Sequence, residues 1–209
     1  MSKDPYEKSA KTYDKYVEPS IAVLRQIGLN VHPPEKGMRV LDIGCGTGTN
    51  LRLYHEAGCD VFGIDLSPAM VQVAQMKLGE GAEIRLGDAT KLPYSGHSFD
   101  LVTGFLTLHE MPNQIRSAVL SEMVRVMKPK GRILLIDYHP GPIRFPKGWM
   151  YKTVTIFFEI MAGREHFRAY RDFLSRNGLD PLISSQSLKI EIRKILSGGT
   201  VALCLLSRK

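Results

Sequence analysis

The chemistry-bearing residues of this chain begin in VLDIGCGTGTN, Val40 to Asn50, where Asp42 stands two residues before Gly44-Cys45-Gly46-Thr47-Gly48. Glycine lets backbone approach a ligand with no Cβ in the way. Such a loop, between a strand and a helix, holds its ligand near the helix N-terminus. The spacing is not GxGxxG, the pattern that brings a pyrophosphate to that place. Asp42 would repel a pyrophosphate and favour a cofactor bearing positive charge. A second acid, Asp65, closes an apolar run about twenty residues on, where a ribose-hydroxyl acceptor belongs. A third, Asp88 in GDATKLPY, can accept from an exocyclic amine such as adenine N6. Ribose, adenine and a positively charged tail describe S-adenosylmethionine.

The elements that must position these residues alternate. Met38–Ile43, Val61–Asp65, Glu83–Gly87, Phe99–Phe105 and Arg132–Asp137 read as strands. Thr49–Ala57, Ser67–Leu78 and Asn113–Met127 read as helices, with Ser67 as N-cap, Pro68 at the first position, and Lys128-Pro129-Lys130-Gly131 ending the last. Alternation at this spacing means βαβ units and a parallel sheet. Leu188–Leu196 and Thr200–Leu206 are separated only by Ser197-Gly198-Gly199, so they form a hairpin and the last strand runs antiparallel to its neighbour. The expectation is an α/β, doubly wound, mostly parallel seven-stranded sheet with one antiparallel strand, read as a single domain over 1–209. Residues 1–36, with Tyr6, Tyr13, Tyr16 and a helix over Pro19–Ile27, are expected to form an N-terminal lid. Residues 138–165 are expected to form a substrate-side insertion, since both segments can reach the carboxyl edge of the strands.

Bulk properties narrow the class. The chain has 209 residues, 44% of them hydrophobic and 23% charged, as in an ordinary globular protein. Its start, MSKDPYEKSA, has no apolar signal-peptide core, and the apolar run Thr153–Ala162 is too short to span a bilayer. Cys45, Cys59 and Cys204 match no zinc spacing and read as reduced thiols of a cytoplasmic protein. The net charge is +7, and nine basic against four acidic residues lie from Arg164 onward. A solvated basic face, an anionic substrate or a membrane surface all fit that bias. No nucleic-acid motif accompanies it.

Taken in order, VLDIGCGTGTN, VFGIDLSPAMV, IRLGDATKLPY, FDLVTGFLTLHEM and EMVRVMKPKGRILLID, spanning Met38 to Asp137, resemble the class I S-adenosylmethionine-dependent methyltransferases. Tyr13-Asp14 is similar to a tyrosine-containing start found in the subgroup related to the quinone-biosynthesis C-methyltransferases. The resemblance implies a Rossmann-like methyltransferase fold. It implies that Gly44, Gly46 and Gly48 pass beside the methionine moiety, with Asp42 below the loop. Asp65 would take the ribose hydroxyls, Leu66 and Met70 would flank adenine, and Asp88 and the Ala89 amide would bind its edge. Phe105 and Leu106 would lie at the methionine end, and Tyr13 could cover the carboxylate. The product is then S-adenosylhomocysteine.

Methyl transfer from a sulfonium is an in-line displacement in which the protein aligns the partners and excludes water. A base is needed only where the nucleophile must lose a proton. His109, which in the resembling family faces the substrate, is the candidate. Its alternative is a histidine bonded locally in the turn. Glu110, Asp137, Tyr138, His139 and His166 are further polar groups near the strand ends; no metal site is expected. The apolar stretch Trp149–Met161 fits a wall for a small-molecule or lipid-like acceptor, a membrane-surface contact, or plain packing. Partners are expected to be such a substrate, with no nucleic acid and at most peripheral membrane contact. A non-catalytic S-adenosylmethionine binder shares the same motifs. The loop spacing and Asp42 speak against a nicotinamide oxidoreductase.

Overall fold

An apolar run as continuous as Ile133–Ile136 buries both faces, and this forces a sheet with helices on either side. The computed structural model describes residues 4–209, so the first three residues of the expected lid lie outside the described residues. The strands are β1 (Arg39–Ile43), β2 (Asp60–Asp65), β3 (Ala82–Leu86), β4 (Phe99–Phe105), β5 (Met127–Tyr138), β6 (Leu188–Leu196) and β7 (Val201–Arg208). The helices are α1 (Ala10–Val31), α2 (Thr49–Glu56), α3 (Pro68–Leu78), α4 (Asn113–Val126), α5 (Lys147–Ala162), α6 (Arg164–Ser175) and α7 (Leu179–Ser184).

The sheet order is β3-β2-β1-β4-β5-β7-β6. All neighbours pair in parallel from β3 to β5; β7 is antiparallel to both β5 and β6. The hairpin therefore inserts its second strand into the sheet and leaves its first at the edge. The order reverses between β1 and β4, and a doubly wound sheet offers its ligand crevice at such a point.

Side-chain alternation sorts the core into two faces. Leu41, Ile43, Ile133 and Leu135 pack with Val119, Leu120 and Met123 of α4. Val40, Leu134 and Ile136 pack with Leu24 of α1, Leu51 of α2 and Ala74 of α3. Asp42 shares the second face with Val40, in register opposite Thr103. Ser67 caps α3 as its sequence predicts, accepting from the Met70 amide at 3.1 Å with Pro68 at the first position.

Two boundaries differ from expectation. The helix expected over Pro19–Ile27 runs from Ala10 to Val31, with Pro19 inside it. The carbonyl that loses its helical donor to the proline belongs to exposed Lys15, where water can replace the bond. Lys128-Pro129 does not separate α4 from a strand starting at Arg132. It already belongs to β5, where the register with β4 shifts between Phe99 and Leu101, a bulge that tolerates a residue without an amide hydrogen. Among the described residues no helix is long and apolar enough to cross a membrane.

Candidate active site

The loop after β1 is pinned at its base. The Gly44 and Cys45 amides both donate to the Ile64 carbonyl, at 2.9 and 3.1 Å. The Gly46 amide donates to Asp65 Oδ2 at 2.8 Å, and Asp65 Oδ1 accepts from the Ser67 amide at 2.9 Å. Asp65 thus ties the glycine loop to the start of α3. The three glycines serve different ends. A Cβ on Gly44 would overlap the Thr107 side chain, and one on Gly48 would press on Ala74 and Leu78. Gly46, with φ of +53°, has nothing within 4 Å of its missing Cβ, so its open side is free to meet a ligand.

That side faces a cavity of about 650 Å³ beyond the carboxyl ends of β1, β2 and β4. Of the residues expected to hold a cofactor, Tyr13, Asp42, Gly44, Gly46, Asp65, Leu66, Met70, Ala89, Phe105 and Leu106 line it. Leu106 does so with φ of +49°, a left-handed conformation rare for a branched side chain. Gly48 sits behind the wall as the N-cap of α2. Asp88 is exposed and accepts from the Thr90 amide at 2.8 Å, while its neighbours Gly87 and Ala89 are on the wall.

Asp42 is 1% exposed. Thr103 Oγ1 donates to it at 2.6 Å and Asn50 Nδ2 at 3.2 Å. Burial pushes its carboxyl up to about 6, against the lowering effect of those two donors and of Arg25. Burial also raises Asp65, despite its two backbone amides. Both acids therefore gain from a ligand that brings hydrogen-bond donors or positive charge.

The N-terminal segment closes over the cavity through contacts that local spacing does not reveal. Asp4 Oδ2 accepts from Ser67 Oγ at 2.9 Å and from the Ala69 amide at 3.1 Å. The Tyr6 hydroxyl donates to both oxygens of Glu110 at 3.0 Å, and its ring meets Tyr13 and His166 edge-on. Thr47 Oγ1 donates to Asp14 at 2.6 Å and Lys77 Nζ does so at 2.5 Å. Burial opposes the charge on Asp14, but Lys77, Thr47 and Thr49 hold its carboxyl below the usual range.

His109 differs most from its expected role. It is 2% exposed and is absent from the cavity wall. Its Nδ1 lies 2.7 Å from Asp137 Oδ1, and its Nε2 lies 3.4 Å from Glu159 Oε1. Burial alone would depress the imidazole, but Asp137 and Glu159 raise it to about 10. Near neutral pH it therefore holds a proton on each nitrogen and has no lone pair for a substrate. Asp137 also accepts the amides of Leu108, His109 and Tyr138. Arg116, fully buried, binds the Leu108 and Ala169 carbonyls and Asp172. This network fixes the 3-10 turn Leu108–Glu110 to β5 and α6. Glu110 and His166 reach the cavity; Tyr138 and His139 do not, Tyr138 packing edge-on against His109 instead. The stretch 138–165 contributes no wall residue, because Glu159, buried and inward-facing, ties α5 to His109 beneath the site.

An acid-flanked glycine loop at the switch point, a second acid on β2, and a cavity lined in part by the N-terminal segment make up the candidate site of this α/β protein. Residues 40–131 match a family model described as a methyltransferase domain. The chain is 40% identical over 111 residues to demethylmenaquinone methyltransferase of Renibacterium salmoninarum, covering 52% of this chain and 46% of that protein. It is 34% identical over 167 residues to an uncharacterized methyltransferase of Synechocystis, covering 79% and 73%. A SAM-dependent methyltransferase from Aquifex aeolicus superposes with a TM-score of 0.62 at 20% identity, over 95% of this chain and 98% of that one, and so shares the fold. The chain belongs to the class I S-adenosylmethionine-dependent methyltransferases. Within that class it is related to the quinone methyltransferases, spanning about half the length of the demethylmenaquinone methyltransferases that it matches.

Proposed function

We propose that the chain transfers the methyl group of S-adenosylmethionine in line to a small-molecule or lipid-like acceptor. The observation that carries this reading is the continuity of one cavity. Gly46, Asp42 and Asp65 line it together with the contacting group Tyr6, Tyr13, Glu110 and His166. S-adenosylmethionine supplies a methyl already activated on a sulfonium, so the chain's own residues have to bind, orient and exclude water.

In this reading Asp65 holds the ribose hydroxyls while keeping the loop in place. Asp42 supports the cationic methionine end, Leu66, Met70 and Ala89 frame the adenine, and Phe105 and Leu106 border the methionine end. Tyr13, with Tyr6 beside it, covers the site. Asp88 meets the adenine amine only if its side chain turns from Thr90. Glu110 takes the acceptor-side role expected of His109. It is on the wall, burial and Glu159 raise its carboxyl against His109, His166 and the Tyr6 hydroxyl, and a raised carboxylate is suited to accept a proton. His109 acts as a positioning residue for the turn that carries Glu110. The relationship to demethylmenaquinone methyltransferases favours a ring-bearing, lipid-like acceptor over a polar one.

Methyl-labelled S-adenosylmethionine incubated with cell extract and the protein tests the acceptor class. Label is expected in the organic phase. Label confined to the aqueous phase would overturn the lipid-like acceptor, and no transfer with the cofactor bound would favour a non-catalytic binder.

A pH dependence follows from Asp42. Its folded carboxyl titrates near 6, above the ordinary 3.8. Its contribution to stability is therefore present below 3.8 and lost as pH rises through about 6. A cationic ligand offsets that loss. Affinity for S-adenosylmethionine is thus expected to weaken as pH falls from 7 through about 6, with proton release on binding below that value, where the unliganded Asp42 carboxyl is protonated. Titration calorimetry of wild type and Asp42→Asn checks this; the variant should bind more weakly, with a flat profile across that range.

A further inference from the structure

Helix α5 turns its apolar residues outward. Trp149, Met150, Val154, Phe157, Ile160 and Met161 are all exposed, Met161 at 71%. They recur at the spacing of one helical face, i, i+4, i+7 and i+11. Phe145, just before the helix, is 84% exposed. The opposite face is held down. Gly148 packs so closely on Gly198 that a Cβ would overlap it, and Glu159 is buried toward His109. The fold thus buries the one acidic side chain of α5 and presents Trp, Phe, Met and Ile to solvent, the reverse of an ordinary surface helix.

The charge flanking the helix is predominantly basic, with Glu165 beside Arg164 an exposed acid. Arg144 and Lys147 are exposed at the start of α5, Arg164 is exposed just past its end, and Lys152 lies over the Trp149 ring at 5.6 Å. An apolar stripe with a predominantly basic border matches the acyl boundary and anionic headgroups of a bilayer. At 16 residues the helix is about 24 Å long and so lies in the interface without spanning it.

We propose that the outward face of α5 docks the protein on anionic lipid surfaces, with Trp149 and Phe157 entering the headgroup boundary. The surface lies apart from the cavity wall, so docking is independent of the acceptor's identity.

Trp149 is the chain's one tryptophan, which makes its emission a direct probe. The full chain is to be titrated with vesicles of equal parts phosphatidylglycerol and phosphatidylcholine, followed by co-sedimentation. A blue shift and sedimentation with these vesicles are expected, both weakening as salt is raised and both weak with phosphatidylcholine alone. Phe157→Glu should lower partitioning by about tenfold or more, with an unchanged melting curve because the side chain is exposed. Lys147→Glu should weaken binding to anionic vesicles while leaving the apolar face intact. Absence of shift and sedimentation, or binding that both variants leave intact, would overturn the proposal. So would a lipid-independent dimer that Phe157→Glu dissociates, which would make this face an interface between copies.

Discussion

Replacing His109 by alanine is expected to destabilise the fold by about 3–5 kcal/mol, the range for removing one partner of a buried ion pair. The imidazolium lies between Asp137 and Glu159, at 2.7 and 3.4 Å, and its removal leaves two buried carboxylates without their counter-charge. Glu159 Oε2 already has no hydrogen-bond partner among the described residues, so no reserve donor is at hand. The sign with pH is set by a folded pKa raised from 6.5 to about 10. The stabilisation is fully present below 6.5 and is lost as pH rises through about 10. Denaturant unfolding across that interval should show the gap between wild type and His109→Ala narrowing upward. A gap below about 1 kcal/mol at pH 7, the scale of an exposed pair, would mean that the imidazole does not bridge the two acids. Because His109 does not touch the cavity, the folded fraction of the variant should bind S-adenosylmethionine with near-normal affinity.

Gly46→Val is expected to have the opposite profile. Its φ of +53° makes a branched side chain strained, at about 1–2 kcal/mol, but the added atoms meet no protein atom within 4 Å of the Cβ position. They enter the cavity instead. Affinity for S-adenosylmethionine should fall by about a hundredfold or more, equivalent to nearly 3 kcal/mol, while the chain still folds. Gly44→Ala is the informative partner, because its Cβ overlaps Thr107 and should be felt first in stability. Calorimetry and thermal melts on both variants separate the two roles. Normal binding by Gly46→Val would mean that the ligand does not run along this loop.

The parts of the site that were legible in sequence share one property: their geometry is local. Asp42, the glycine loop and Asp65 fall within one βαβ unit, where spacing along the chain fixes arrangement in space. Ser67 and Pro68 announce the start of α3 for the same reason. The position of His109 in a turn after β4 was legible, but its orientation was not. That depends on Asp137 from β5 and Glu159 from α5, which only the tertiary fold brings to it. The same holds for Asp14, whose ties to Thr47 and Lys77 join α1 to the glycine loop and α3. Asp4 and Tyr6 sit in a polar N-terminal stretch with no periodicity to single them out. Pro19 misled the helix boundary because local propensity yields when the interrupted carbonyl is solvent-facing and the flanking turns are packed. The apolar character of α5 was plain in its residues, but which face it buries depends on the Glu159–His109 contact.

The reversal of β7 also decides where the chain can be lengthened. Asp4 is bonded to the cap of α3 at the ligand edge of the sheet. β7 runs down from Val201 beside Tyr138 toward Leu206 beside Ile133, and Arg208 binds the carbonyls of Val124 and Met127. Lys209 therefore emerges at the far edge, among the starts of the parallel strands. A tag, label or fused domain attached after Lys209 hangs clear of the cavity, whereas Asp4 is itself part of the cavity wall.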